Sequence, residues 1–254
     1  MKNLLFSFLV FGLFSCQPNK NQVLQETEKL SKADSIIHKS IEVYGMQNLN
    51  KANLEFKFRD YHYTANLNNG EFKYTRLNAN SDLVYDVLTN KGFERFVNGD
   101  KFEVDSAKAI AYSNSINSVW YFALLPLRLK DEAARKTYLG TIDLNNKAYH
   151  VIKVTFSEEG GGQDFDDEYM YWFEEKTLKM PMFAYNYSTN GGGVRFRTIK
   201  SDTLVNGVLF QDYYNLKPHS IETPLDSLPF LWVENELDTV SVIENKSVKV
   251  TLFD

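Results

Sequence analysis

The chain has a single cysteine in 254 residues, Cys16, so it forms no intrachain disulfide and no thiolate-rich metal centre. Its four histidines, His38, His62, His150 and His219, are scattered, with no HExxH pair and no ligand-like spacing. No Gly-x-Ser-x-Gly elbow, P-loop or dinucleotide fingerprint is present, because the glycine triplets at 160–162 and 191–193 join strand-like segments and lead into no helix. No catalytic residue is assigned on these grounds, no cofactor is expected, and the chain is read as a non-enzyme. Basic residues form no cluster and the net charge is -5, which leaves no electrostatic footprint for a nucleic acid. No apolar run approaches the roughly 20 residues that a membrane-spanning helix needs.

What the chain has in quantity is aromatic residues. Nineteen Phe, 15 Tyr and 3 Trp are dispersed along its length, and rings of this kind favour pleated strands on which they pack side by side. With 43% hydrophobic and 24% charged residues, the composition is that of a globular domain able to bury a core without disulfides.

The first line reads "MKNLLFSFLVFGLFSCQPNK". A basic start at Lys2 precedes an apolar run over residues 4–15, the length of a signal-peptide core. The run ends in Leu13-Phe14-Ser15-Cys16, which resembles the lipobox of bacterial lipoproteins. That resemblance implies cleavage before Cys16 and acylation of its thiol, and two or three acyl chains hold a protein at a membrane where one chain binds marginally. Residues 1–15 are then a lipoprotein signal peptide and polar residues 16–32 a flexible tether. No acidic run follows Cys16, which favours the periplasmic face of the outer membrane over surface display.

Residues 33–254 read as one domain. Ile37, Ile41 and Tyr44 recur at helical spacing and Gly45 stops a short helix over about 33–44. Alternation then takes over in "LEFKF", "YHY", "EFKYTRL", "DLVYDVL", "GFERFV" and "KFEV", with hairpin turns at Asn69-Gly70 and Asn98-Gly99. Residues 105–138 lose that period. They predict one or two helices ending near Pro126, with a helical turn at about 131–135, and they are apolar enough to need cover. Strands resume in "HVIKVTF", "EYMYWF", "MFAYNY", "VRFRTI" and "GVLFQDYYNL", and "SVKVTLF" adds an edge strand. The predicted class is α+β, mainly antiparallel β: a strongly curved half-barrel sheet of about ten strands with helices on its concave side.

This order of helix, meander, helices and meander after a lipobox resembles the half-barrel of LolA/LolB-type lipoprotein carriers. The stretches "ADSIIHKSIEVYG", "WYFALLPLRL" and "GGGQDFDDEYMYWFEEKTLKM" also resemble an uncharacterised family of Bacteroidota-type outer-membrane and periplasmic lipoproteins. The carrier resemblance implies an acyl-chain site on the concave face, so the expected partners are the membrane, through the lipid anchor, and an apolar ligand. The alternative is a structural lipoprotein with a filled interior that docks an envelope protein. The aromatic candidates for lining a ligand site are Phe56, Phe58, Tyr74, Tyr85, Trp120, Phe122, Tyr171, Phe183, Tyr185 and Phe196. Two further features are local. Asp164, Asp166, Asp167 and Glu168 beside the glycine triplet offer oxygens to Ca²⁺, but their order departs from the EF-hand loop and a solvated hairpin tip is the preferred reading. Arg195 and Arg197 alternate with Val194 and Phe196; they would meet an anionic head group or, as is commoner, face water.

Overall fold

A computed structural model describes residues 30–78, 83–157 and 167–253. Cys16, nearly all of the tether, and Asp164 and Asp166 lie outside the described residues. The first helix, α1 (Lys32–Val43), begins where Ser31 Oγ accepts from the amide of Asp34 at 3.0 Å. It buries Ile36, Ile37, Ser40 and Ile41, one stripe of its surface.

Six strands follow as an antiparallel meander: β1 (Lys51–Phe58), β2 (Tyr61–Asn68), β3 (Glu71–Asn78), β4 (Val84–Thr89), β5 (Gly92–Val97) and β6 (Asp100–Phe102). The predicted turns are there: Asn69 and Gly70 have φ of 50° and 94°, and Asn98 and Gly99 have 53° and 95°, the left-handed pairs that tight hairpins require. Helix α2 (Ser106–Ala123) crosses next, capped by Asp105 on the amide of Lys108. A second meander contains β7 (Ala134–Leu144), β8 (Lys147–Phe156), β9 (Tyr169–Glu174), β10 (Met182–Tyr187), β11 (Gly193–Val205) and β12 (Val208–Lys217). The chain closes with α3 (Leu228–Val233), β13 (Asp238–Ile243) and β14 (Lys246–Leu252).

The described strands number fourteen rather than about ten, in two seven-stranded antiparallel sheets. The first has the order β14-β1-β2-β3-β4-β5-β6 and the second β13-β12-β11-β10-β9-β8-β7. The excess over expectation has two sources. Residues 134–144 pair with β8 along their whole length, although the sequence places a helical turn at their start. The weakly periodic tail supplies two strands instead of one, and they go to different sheets: β13 to β12 and β14 to β1. The two halves of the protein are therefore tied together by its last hairpin-like excursion.

The sheets differ in what covers them. In β1, Ala52, Leu54 and Phe56 are buried while Asn53 and Lys57 on the opposite face are exposed. The second sheet is covered on both faces. Tyr171, Phe183 and Tyr213 join the main core, whereas Trp172, Met182, Phe196 and Leu216 form a second cluster under Leu225, Leu228 and Trp232. Its strands therefore carry apolar residues at consecutive positions.

Helix α2 touches both sheets. Consecutive helical residues point about 100° apart, so Trp120, Tyr121 and Phe122 spread in different directions. Trp120 packs on Phe56 and Tyr74 of the first sheet, with ring centroids 4.9 and 5.2 Å away. Tyr121 meets the hydroxyl of Tyr171 at 2.7 Å, and Phe122 stacks on Phe183 at 5.6 Å, both in the second sheet. Full cover is not what this helix receives, since only Ile116 and Trp120 among its residues are buried.

Candidate functional site

The aromatic candidates divide into packed and open groups. Phe56, Tyr74, Trp120, Tyr171 and Phe183 are buried in the main core, each against another ring. They fill space rather than line it. Tyr85 is half-buried on the outer face of the first sheet, because Asp86 and Leu88 take the inward positions of β4. Phe196 belongs to the second cluster, against Trp172 and Trp232. Tyr185 is half-buried and Phe58 and Phe122 face a cavity.

That cavity has a volume of about 250 Å³ and lies between α2, the β1–β2 turn and strands β11 to β13. Its apolar wall consists of Phe58, Val119, Phe122, Ala123 and Ile243. Its rim carries exposed Arg59, Ser115 and Ser118, so it opens to solvent. Its floor is polar and buried: Arg197, Gln211, Tyr213 and Asn215.

Arg197 does not face water. Phe183 and Asn215 are its register partners on β10 and β12, and the α2 helix covers that face of the sheet, leaving the residue 8% exposed. The guanidinium lies 4.0 Å from the centroid of Phe122 and 5.4 Å from those of Phe183 and Tyr185. One Nη2 proton goes to Tyr185 Oη at 3.0 Å. Among the described residues its Nε–H has no acceptor and no carboxylate forms an ion pair with it. Arg195, on the same side of β11 but nearer its end, is half-buried and turns back to the carbonyl of Val194 at 2.9 Å.

Further along β12, the Gln211 amide is held by two hydroxyls. Gln211 Oε1 accepts from Tyr44 Oη at 2.6 Å and from Tyr213 Oη at 2.7 Å. Tyr44 Oη in turn accepts from the amide of Met180 at 3.0 Å, and its proton goes to Gln211 rather than to the more distant Met180 carbonyl at 3.5 Å. Burial drives both phenols' ionisation far up, so they remain donors. With its oxygen taken by two hydroxyls, Gln211 keeps Nε2 as the free end, and that nitrogen has no partner among the described residues. Asn215 gives its Nδ2 to Ser241 Oγ at 3.2 Å, and its Oδ1 is left without a donor among the described residues.

Two arginines, Arg59 and Arg197, supply the ionised side chains of the described lining, in a protein whose net charge is -5. A further basic group stands behind Ser115. Arg76 donates to Ser115 Oγ at 2.9 Å and shares Asp86 with Arg95, so the three side chains together keep one positive charge. Chemically, the cavity presents carbon at its wall and polar side chains at its floor, where the unpaired atoms, Arg197 Nε, Gln211 Nε2 and Asn215 Oδ1, are closed to solvent.

Of the four calcium candidates, Asp167 and Glu168 are among the described residues and Asp164 and Asp166 are not. Glu168 is paired with Lys153 Nζ and Asp167 is 3% exposed. Among the described residues no group of three or more His, Cys, Asp or Glu side chains is disposed to hold a metal. Gln211, Tyr213 and Asn215 are the site residues that sequence reasoning missed. The available signal was their period of two along a strand otherwise rich in apolar residues, visible in "GVLFQDYYNL".

Solved structures share parts of this arrangement. A LolA superfamily protein from Nitrosomonas europaea aligns with a TM-score of 0.48 at 10% identity, over 89% of this chain and 95% of its own. A domain assigned to outer membrane lipoprotein sorting from Vibrio parahaemolyticus aligns at 0.42 and 7% identity, over 85% and 93%. A DUF1329 family protein from Desulfovibrio piger aligns at 0.40 and 7%, over 87% and 93%. At these identities and scores the likeness carries no functional argument. No curated protein matches the chain at a significant level. Membership is given instead by a family model that matches residues 8–245, a stretch containing Cys16 and every cavity residue, and the chain belongs to that family, described as a family of unknown function (DUF6503).

Proposed function

We propose that the chain is a lipid-anchored protein of the cell envelope that binds the apolar part of a small ligand in the cavity beneath α2, as a binding or carrier protein without turnover. The observation that carries this reading is the cavity itself. It is open at the rim, walled by Phe58, Val119, Phe122, Ala123 and Ile243, and close to the lower end of the volumes small-molecule sites occupy, roughly 300–1,000 Å³. In this reading the two sheets act as the curved wall of a half-barrel, α2 straps its concave side, and Cys16 carries the acyl anchor at the periplasmic face of the outer membrane.

The competing reading is an interaction lipoprotein whose interior is filled, and it draws on the tight burial of Phe56, Trp120, Tyr171 and Phe183. Photolabelling separates the two. The full-length protein, reconstituted in lipid nanodiscs, is irradiated with dodecanol bearing a terminal diazirine and the adducts are mapped by peptide mass. Adducts concentrated on α2 and β13, and lost in Val119→Trp, support ligand binding. Adducts spread over the surface, unchanged by Val119→Trp, leave the interaction reading standing.

A further inference from the structure

Helix α3 presents apolar side chains that the described residues leave uncovered. Its sequence, LPFLWV, holds no charged residue, and a helix apolar all round is ordinarily buried. Only one side of this one is. Leu228 and Pro229 are buried, and Leu228 joins the second cluster on the outer face of the second sheet. Phe230 and Val233, three residues apart and so on one side of the helix, are 45% and 38% exposed. Trp232 is half-buried, with its ring 6.1 Å from Phe196, and it lines a pocket of about 240 Å³ together with Tyr214 and Leu237. Tyr214 and its register partner Val242 are exposed as well. Trp and Tyr at a surface beside uncovered Phe and Val suit a membrane–water boundary, where the rings meet acyl chains and their polar tips meet head groups.

Resting on the lipid-anchored reading above, we propose that this face of α3 lies on the bilayer as the domain's second membrane contact, and that the lipid it meets is zwitterionic. Reach is the first argument for a lipid surface over a protein partner. Lys32, at the start of α1, lies 5.8 Å from the ring centroid of Tyr138 on β7, and Leu144 at the end of the same strand belongs to the cluster that α3 covers. The stretch from Tyr138 to Leu144 spans roughly 20 Å. Cys16 and Leu30 are separated by at most about 50 Å of chain, so an acyl group on Cys16 holds α3 within reach of the bilayer. Charge is the second argument. Glu222, Asp226, Glu234, Glu236 and Asp238 flank α3 and are all exposed, and residues 218–243 contain no Lys or Arg. Such a border attracts the ammonium group of phosphatidylethanolamine and repels an anionic head group. The second sheet stands between α3 and the cavity, so this docking leaves the cavity rim clear of the lipid.

The test uses the full-length protein in nanodiscs of phosphatidylcholine and phosphatidylethanolamine, with and without bromine on the acyl chains. Tryptophan emission is compared between the two, and co-elution with the discs is measured on the same samples. Bromine quenches on contact. Trp120 and Trp172 are each 1% exposed, so quenching reports on Trp232, the remaining tryptophan. Emission should fall in the brominated discs, and the fall should vanish in Trp232→Phe. It should vanish equally in Phe230→Ser/Val233→Ser, a variant that changes exposed side chains and should keep the wild-type denaturant midpoint. Leu204→Ser, at a leucine 68% exposed near the β11–β12 turn, should keep the fall. Phosphatidylglycerol in place of phosphatidylethanolamine should reduce it, and equal quenching in the two overturns the zwitterionic assignment. Co-elution without quenching, or quenching that survives Trp232→Phe or Phe230→Ser/Val233→Ser, overturns the docking face, gives it to a protein partner or a second copy, and leaves the lipid anchor standing. Failure to co-elute with the discs overturns both.

Discussion

Gly45 is the place where one added methyl group should damage both the fold and the floor of the cavity. It ends α1 with φ of 66°, and a Cβ added there would lie 1.9 Å from the carbonyl oxygen of Gly207 in the β11–β12 turn. Alanine in the left-handed region costs roughly 1–2 kcal/mol on its own. Relieving the overlap means moving backbone against backbone, since no flexible side chain can give way. That movement breaks the bond from the Leu209 amide to the Tyr44 carbonyl at 2.9 Å, between two buried residues, at about 1–3 kcal/mol. Gly45→Ala should therefore lose about 2–5 kcal/mol, a fall in Tm of roughly 4–20 °C for a domain of this size. Gly70→Ala is the control: φ is 94° and nothing lies within 4 Å of where its methyl would sit, so only the backbone term, about 1–2 kcal/mol, applies. Urea unfolding followed by circular dichroism measures both. If Gly45→Ala costs no more than Gly70→Ala, the close approach is not a constraint and this reasoning fails.

Two further outcomes follow from burial and from the N-terminal motif. Tyr44, Tyr121, Tyr171 and Tyr213 are each pushed above the ordinary phenol range, chiefly by desolvation. Above about pH 10 the unfolded chain releases these protons while the folded protein keeps them, so stability is full below that pH and falls as pH rises, by roughly 1.4 kcal/mol per unit per group. Denaturant midpoints that stay flat through this range would contradict the assigned burial. Cys16→Ser should abolish incorporation of a palmitate analogue and move the protein out of the detergent-extractable membrane fraction; equal incorporation in the variant would remove Cys16 as the anchor.

Legibility varies with how directly a residue type implies geometry. Asn69-Gly70 and Asn98-Gly99 name their turns because few other pairs adopt two left-handed residues, and both hairpins stand where those pairs place them. The helix ending at Gly45 is legible for the same reason. Strand β7 is not: Arg135, Thr137 and Leu139 are exposed along it, and its partly buried residues are too mixed to mark a face without knowledge of β8 as partner. Alternation selects the ring candidates, and it identifies a strand's two faces but not which face meets the helix. Tyr85 and Phe196 fall on the wrong ones for that reason. Arg197 misleads in the opposite sense. Arginine alternating with apolar residues ordinarily faces water, and only the cover of the second sheet on both sides buries it.

Two buried arginines flank α2, and their surroundings assign them different work. Arg76 has a carboxylate: Asp86 receives its Nε at 3.1 Å and its Nη2 at 2.6 Å, and Ser115 takes the remaining end. Asp86 also serves Arg95, so the three side chains keep one positive charge while they tie the middle of α2 to β3, β4 and β5. Arg197 has three rings and one phenol, no carboxylate among the described residues, and an Nε–H that is both unpaired and closed to solvent, in a residue that lines the cavity floor. Desolvating a guanidinium that has no carboxylate costs several kcal/mol, and the Tyr185 bond and the faces of Phe122, Phe183 and Tyr185 offset part of it. The carboxylate, rather than burial alone, separates the two: Arg76 ties elements together through Asp86, and Arg197 ties Tyr185 and Phe122 together through its own side chain.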